Sequence, residues 1–483
     1  MLREGGQGRE GAAMSPLGGS AEGAWRSAPA AGRWHRTGDD PARATLRPEA
    51  SALPVWPFVL PFAGYILWWV LGIGDMIWPV MALVMLALMA RRRGLDFPRG
   101  WSVWAFFLVW AAVSIVECDT SGRVIGALYR LSMLLAATVF ACYAYNARRT
   151  LTLRVYGGTM TWFLLSTVLG GYLAILAPNL QIDTPLSHVL PGALTSNSFI
   201  HDFVHRSTTQ WDQNAWIRTD PRPSAPFVYA NTWGNVYSLI LPVVLAHAAL
   251  LRRERSPRRW PVAALVAVSI VPAAATQNRG MFVGLGVVAL WVGLQRTRSG
   301  RLPQVLAGAG VVVVAALVWF VSPMGQSLLS RVRASTSTGD RLVNYVETLS
   351  ELRGSPLLGF GAPRPAAAPW LPSLGTQGQF WTVLFSHGVV GAVLFMGTFA
   401  AAVCYAWRCR DLVGAVLGGI ALATLVESFY YGMTTGMMVS LVAVALLVRW
   451  REGGGASAPS PPVSTSDRRG SSLRRSSRSR WSS

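Results

Sequence analysis

The chain has 483 residues, of which 52% are hydrophobic and only 13% charged, with 21 Trp and 18 Phe. Soluble domains carry about 25% charged residues, so the composition excludes a disordered protein, argues against a soluble enzyme and points to a polytopic membrane protein. The net charge of +21 first suggests nucleic acid as a partner, and all 43 basic residues are arginine, which leaves no lysine for Schiff-base or general-base work.

Residues 1–50 hold seven Arg and six acids, are rich in Gly and Ala, and contain no apolar stretch of the signal-peptide kind. They are expected to form a disordered cytoplasmic tail. A membrane span needs about 20 mostly apolar residues. Twelve apolar runs follow, near 54–72, 76–90, 101–116, 124–144, 155–177, 228–251, 261–276, 280–295, 303–322, 378–407, 412–428 and 433–448. The second, third, seventh, eighth, eleventh and twelfth are short and compatible with tilted pairs or re-entrant hairpins. The long 378–407 run is expected to begin outside the hydrocarbon. Trp56, Trp68, Trp69, Trp78, Trp101 and Trp104 lie toward run ends, where interfacial anchors sit. From Arg449 the chain becomes Ser- and Arg-rich, a second disordered cytoplasmic tail (449–483) whose charge suits anionic lipid heads. The expected fold is all-α: a polytopic bundle of about twelve transmembrane helices over 51–448, with two large outer loops, 178–227 and 323–376.

With both tails inside, the inner loops 91–100, 145–154, 252–260, 296–302 and 408–411 hold 17 Arg and three acids, whereas the outer loops hold ten of each. This asymmetry follows the positive-inside rule and places the chain in the plasma membrane with both termini cytoplasmic. The excess positive charge is thereby topological, and nucleic acid is not an expected partner. The four cysteines scatter: Cys142 and Cys404 in runs, Cys409 in an inner loop, Cys118 at an outer edge. They suit neither a disulfide framework nor a zinc site.

Long loops on a membrane scaffold are functional or disordered, and neither of these two is low in complexity. The first holds His188, His201, His205, Arg206, Asp212, Arg218 and Arg222. His201 and His205 share a face if helical. Their HDFVH resembles the zincin HExxH only superficially, since Asp202 replaces the Glu base and no third ligand is evident; no metal is expected. In the second loop, Leu342, Val346, Leu349 and Leu352 follow Asp340 at helical spacing, and Gly354 comes just after. The pattern predicts a surface amphipathic helix capped by Asp340, with Arg331, Arg333, Arg341, Arg353 and Arg364 around it. The GFG at 359–361 is a turn, and no GxxxxGK[ST] phosphate loop exists; no cofactor is expected. Within or beside the runs stand Arg130, Arg279 and Glu427. Intramembrane charges face a cavity or a partner, although Arg130 is near enough to the outer boundary to snorkel. Arg130, Arg279 and the loop arginines all fall on one predicted side, where guanidinium forks suit phosphate.

Three segments carry a resemblance. FVYANTWGNVYSLILPVVLA (227–246), TQNRGMFVGLGVVALW (276–291), and GDRLVNYVETLSELRGSPLLGFG (339–361) with QGQFWTVLFSHGVVG (377–391) together resemble the O-antigen ligase and polymerase-like membrane proteins. The resemblance implies a metal-independent glycosyltransferase that polymerises or transfers glycan from a polyprenyl-pyrophosphate-linked donor to a glycan or lipid acceptor, among membrane lipids, at the outer face. It implies that Arg279, Arg130, Arg341, Arg218 and Asn231 bind pyrophosphate or glycan. Where the family often has His–Asn before the last long-loop span, this chain has Gln377 and Gly378. Gln377 cannot take a proton, so His201, His205, His387 and Glu347 are the candidate bases. The competing readings are a secondary transporter or flippase, against which stands the lack of repeated halves, and a non-enzymatic scaffold.

Overall fold

The computed structural model describes residues 52–92, 94–189, 191, 204–210, 221–321, 337–368 and 371–453. The segments read as disordered tails lie outside the described residues, except that the last helix continues past 448 to Glu452.

Each apolar run is helical, as it must be where no water can satisfy the backbone. The first run is two short helices, α1 (Trp56–Ala63) and α2 (Tyr65–Val70), separated at Gly64. Then follow α3 (Ile77–Ala90), α4 (Trp101–Val113) with a 3-10 extension (Ser114–Glu117), α5 (Ser121–Asn146) and α6 (Leu153–Leu176). The first long loop is not wholly irregular. It contains β1 (Gln181–Asp183), α7 (Pro185–Val189), β2 (His205–Ser207), β3 (Thr209–Gln210) and β4 (Arg222–Pro223), paired antiparallel as β1–β2 and β3–β4. After it come α8 (Ala230–Arg253), α9 (Arg259–Ala275), α10 (Arg279–Arg298) and α11 (Leu302–Val321). The second long loop contains α12 (Ser337–Leu352), and α13 (Gln379–Ala406), α14 (Leu412–Glu427) and α15 (Thr434–Glu452) complete the bundle. Among the described residues six helices, α5, α6, α8, α10, α13 and α15, are long and apolar enough to cross a membrane; α3, α4 with its extension, α9 and α14 are shorter apolar helices.

The helix ends gather into two sets. At one end Thr150 Oγ1 donates to Leu53 O, Arg449 donates to Ala144 O and Leu151 O, and Arg298 donates to Trp407 O. Leu53 and Arg449 thus lie at the same end, together with the arginine-rich connections. At the other end Arg222 donates to Thr276 O, Arg123 to Ala362 O, and Gln379 N to Tyr431 O, so both long loops meet there. We call these the arginine-rich end and the long-loop end.

Two sequence expectations are corrected. Trp69, Trp78 and Trp104 are fully buried and are not interfacial anchors. Trp78 packs on Phe62, Tyr65 and Phe140, and Trp104 on Phe107 and Phe395. These rings fill the space between helices, where their large area is worth most. Trp56, by contrast, is 50% exposed. The helix of the second loop begins at Ser337, so Asp340 lies inside it and is not its cap. Its Leu342, Val346 and Leu349 face outward, and the stripe packed on the protein is Asn344, Thr348 and Leu352. Asn344 Nδ2 donates to Pro372 O at 2.7 Å, which explains why a polar residue is on the packed side.

Replacing a buried aromatic by alanine costs about 3–5 kcal/mol. Trp78→Ala is therefore expected to lower the melting temperature of the purified protein markedly and Trp56→Ala to leave it nearly unchanged, as followed by tryptophan fluorescence or light scattering on heating.

Candidate functional site

The site is built around a break in α13. Gly388 has φ 68° and ψ −172° inside an otherwise helical run, a conformation essentially restricted to glycine. The break releases backbone groups from the helical ladder, and in an apolar surrounding each needs a new partner. The segment Pro356–Gly361 supplies them: Phe360 N donates to Phe385 O at 2.9 Å, Gly361 N to Ser386 O at 2.8 Å, and Val389 N to Pro356 O at 2.9 Å. The two chains lie so close that a Cβ on Gly388 would overlap Leu357 O and one on Gly359 would overlap Phe385 O. Gly359 and Gly361 both have φ 71°. The Pro-Leu-Leu-Gly-Phe-Gly sequence is thus a plug that completes the broken helix.

The plug is held in turn by α5. Arg123 donates to Phe360 O, Ala362 O and Pro363 O, the first two at 2.6 Å. It also pairs with Asp119, whose other oxygen lies 3.2 Å from Arg364. The hydrogen bond from Arg123 holds the Asp119 carboxyl below its usual range.

His387 is the residue just before the break. Its Nδ1 lies 2.5 Å from Ser114 Oγ, its carbonyl accepts from Trp110 Nε1 at 2.9 Å, and its ring meets Phe107 edge-on. The Ser114 hydroxyl donates to Ala111 O at 2.8 Å. With that proton committed, Nδ1–H is the donor to Ser114 and Nε2 keeps its lone pair. His387 is buried but lines a cavity of about 180 Å³, shared with Tyr129, Arg130, Gln379, Thr382 and Met433.

Arg130 is therefore turned to this cavity. Its guanidinium runs back along α5 over Gly126, whose missing side chain leaves it room; helical side chains lean toward the N-terminus in this way. Among the described residues Arg130 makes no hydrogen bond and no ion pair. A half-buried, unpaired guanidinium in an apolar bundle calls for an anion.

Gln379, which sequence reasoning passed over in favour of Gln377, is the glutamine on the cavity. Its Oε1 accepts from Met433 N at 3.1 Å. Gln377 does not line the cavity, and its carbonyl accepts from Tyr345 Oη at 3.4 Å. The two are related by a single helical start: Gln379 opens α13 and turns inward, and Gln377 precedes it.

Arg279 does not line this cavity. It opens α10 in a second polar cluster, reached through Tyr431. Tyr431 Oη donates to Asn278 Oδ1, and Asn278 Nδ2 donates to Ala230 O at 3.1 Å. Gly234 lets Asn278 approach, since a Cβ there would overlap the amide. Asn231 accepts from Arg222 at 3.4 Å, and Arg222 Nε reaches Thr276 O at 2.9 Å. Asn231 thus joins the first loop to the TQNRG turn. Arg341, on α12, lies near Tyr345 and Tyr431. Gln379 N bonded to Tyr431 O links this cluster to the cavity.

His205 is separated from both clusters. It pairs with Asp183 across β1–β2 at 2.6 Å on an exposed surface. Its neighbour Arg206 points the other way, as strand alternation requires. The Arg206 side chain is 2% exposed, with Asp75 Oδ2 3.9 Å away. Burial raises the Asp75 carboxyl above its usual range, against the opposing pull of Arg206 and the Tyr65 hydroxyl. Arg206 thereby ties the first loop to the turn between α2 and α3. Of the other candidate residues, His201 and Arg218 lie outside the described residues, and Glu347 is occupied at 2.7 Å by Ala367 N. Among the described residues, no group of three or more His, Cys, Asp or Glu is arranged to hold a metal ion.

A scan against protein-family models finds no match. No curated protein matches the sequence either.

Glu427 is a second intramembrane charge with a different environment. It is fully buried, accepts from Asn235 Nδ2 at 2.5 Å and packs where Gly284 lacks a side chain. It joins α8, α10 and α14 and is not on the cavity.

A side chain at Gly388 must leave the conformation that the break requires, at a cost of about 1–3 kcal/mol plus the overlap with Leu357. Gly388→Ala is expected to release the plug and expose 354–361 to protease, whereas Gly397→Ala, on the same helix with open space around it, leaves the digestion pattern unchanged.

Proposed function

We propose that this protein is a membrane glycosyltransferase that polymerises or transfers glycan from a polyprenyl-pyrophosphate donor, with the Arg130–His387 cavity as its reacting centre. The observation that carries this reading is the Arg130 guanidinium, unpaired among the described residues, sharing one cavity with a histidine anchored at a helix break. A glycosyl transfer from a diphosphate needs both. The acceptor hydroxyl attacks the anomeric carbon and gives its proton to His387 Nε2. The anomeric C–O bond breaks, and the pyrophosphate leaves with the electron pair, its growing charge held by Arg130. Neither step needs a metal.

The cavity has room for the reacting groups and not for an oligosaccharide. The glycan would extend to the long-loop end, where Tyr345 stacks on Trp381 at 4.2 Å and 12° beside Gln377. Arg341, Arg222, Asn231 and Arg279 stand beyond Tyr431, suited to the distal part of donor or acceptor. In this reading all twelve helical runs cross the plasma membrane, the long-loop end faces outward, and both termini are cytoplasmic. The common end shared by Leu53 and Arg449 and the arginine bias of that end support the orientation.

Removal of one charge-stabilising donor costs about 10²-fold or more in turnover. Arg130→Ala is expected to lose that much glycan transfer from a lipid-linked donor. Arg130→Lys should recover part of it, because it restores charge but not the fork. Full activity in Arg130→Ala, in protein shown to insert normally, sinks the proposal. Reporter fusions after residues 205 and 345 should both map outside and a fusion after 298 inside; a split between 205 and 345 overturns the orientation.

A further inference from the structure

We infer that the arginine-rich end carries a binding site for one anionic phospholipid, in the cleft between α6, α8 and α9. It is independent of the glycosyl-transfer reading.

The cleft is a cavity of about 940 Å³. Its walls are apolar: Leu165 and Trp162 from α6, Leu251 from α8, Val262 and Leu265 from α9. Its mouth is polar and basic, with Arg154, Ser256 and Arg258. An apolar channel ending in cations has the amphiphilic profile of a lipid, an acyl chain along the walls and a phosphate at the mouth. Free phosphate would satisfy only the mouth.

Three further observations agree. First, the connection 252–259 contains five arginines and one acid. That acid, Glu254, is taken by Arg154, so Arg258 and its neighbours keep a net positive field at the mouth. Second, α6 and α9 both begin there, at Leu153 and Arg259, and helix N-termini favour an anion. Third, His247 lies at the base of the cleft. It is 8% exposed, and its Nδ1 has no hydrogen-bond partner among the described residues. Its ring packs against Gly157, where a Cβ would come within 2.6 Å of Nδ1. The same ring lines the adjoining apolar cavity of about 230 Å³ between Tyr156, Val243 and Leu417. Buried polar atoms are ordinarily paired; Nδ1 is turned onto Gly157, and the imidazole, which lines the cleft, places a polar ring at its base. The outer flank of the cleft is itself suited to acyl chains, with Trp162 59%, Trp260 68% and Ile270 60% exposed.

Gly158 allows a direct test, because it lines the cleft and a Cβ there meets nothing within 4 Å. Gly158→Leu puts an apolar side chain into the channel from a position with free space for its Cβ, and Arg258→Ala removes a charge from an exposed position. The full chain, delipidated in detergent, is titrated with phosphatidylglycerol, with phosphatidylcholine of identical acyl chains, or with inorganic phosphate, and adducts are counted by native mass spectrometry. Phosphatidylglycerol should occupy one site about tenfold more tightly than phosphatidylcholine, the weight of one charge-assisted contact, with no retained phosphate. Arg258→Ala should erase the preference and Gly158→Leu the adduct. Equal occupancy by the two lipids, retention of phosphate alone, or an adduct unchanged in both variants overturns the inference. If Gly158→Leu does not fold, the loss of headgroup preference in Arg258→Ala decides alone.

Discussion

The site depends on an exchange of backbone hydrogen bonds. An unbroken α13 would satisfy its own carbonyls and point His387 wherever the helical phase dictated. The break at Gly388 leaves Phe385 O, Ser386 O and Val389 N in need of partners, and Pro356–Gly361 meets all three. In an apolar surrounding such groups cost several kcal/mol each when unpaired, so break and plug stabilise each other and neither persists alone. His387, Arg123 and the second long loop all take their positions from that exchange.

The other polar groups within the bundle are handled by three different means. Arg206 is buried with a carboxylate close by, and Glu427 is buried with an amide against a glycine. Both are structural ties between elements distant in sequence. Arg130 has neither arrangement. The contrast separates side chains that serve the fold from Arg130, which is unpaired among the described residues, and burial alone does not distinguish them.

The helices were legible in the sequence because hydrocarbon demands long apolar runs, and every run is a helix. That both long loops gather at one end, away from the arginine-rich connections, was also legible, from arginine bias alone. Interior detail was not. Trp78 and Trp104 look like run-end anchors, and only packing with Phe140 and Phe395 shows them to be core. Of the site residues, Arg130 was visible as a charge in an apolar run, but which of the candidates His201, His205, His387 and Glu347 shares its cavity was not, since the choice between His205 and His387 turns on tertiary position. Gln379 was missed because one helical start separates it from Gln377. The signal available was the plug itself: two glycines in PLLGFG and another after His387 mark places where backbone meets backbone. The pair Asp75–Arg206 had no local signature, because its members lie on different loops.

Arg123 and Arg130 stand on the same helix, two turns apart. The first grips the plug that holds His387 through α13; the second faces His387 across the cavity. His387 and Arg130 are consequently joined by a closed mechanical loop running through α5, the plug and α13. Such a loop fixes their spacing during folding, and a ligand entering it displaces water without having to draw the two groups together. Selectivity in a centre of this kind resides in what can reach it, which gives the long loops, not the cavity, the task of choosing.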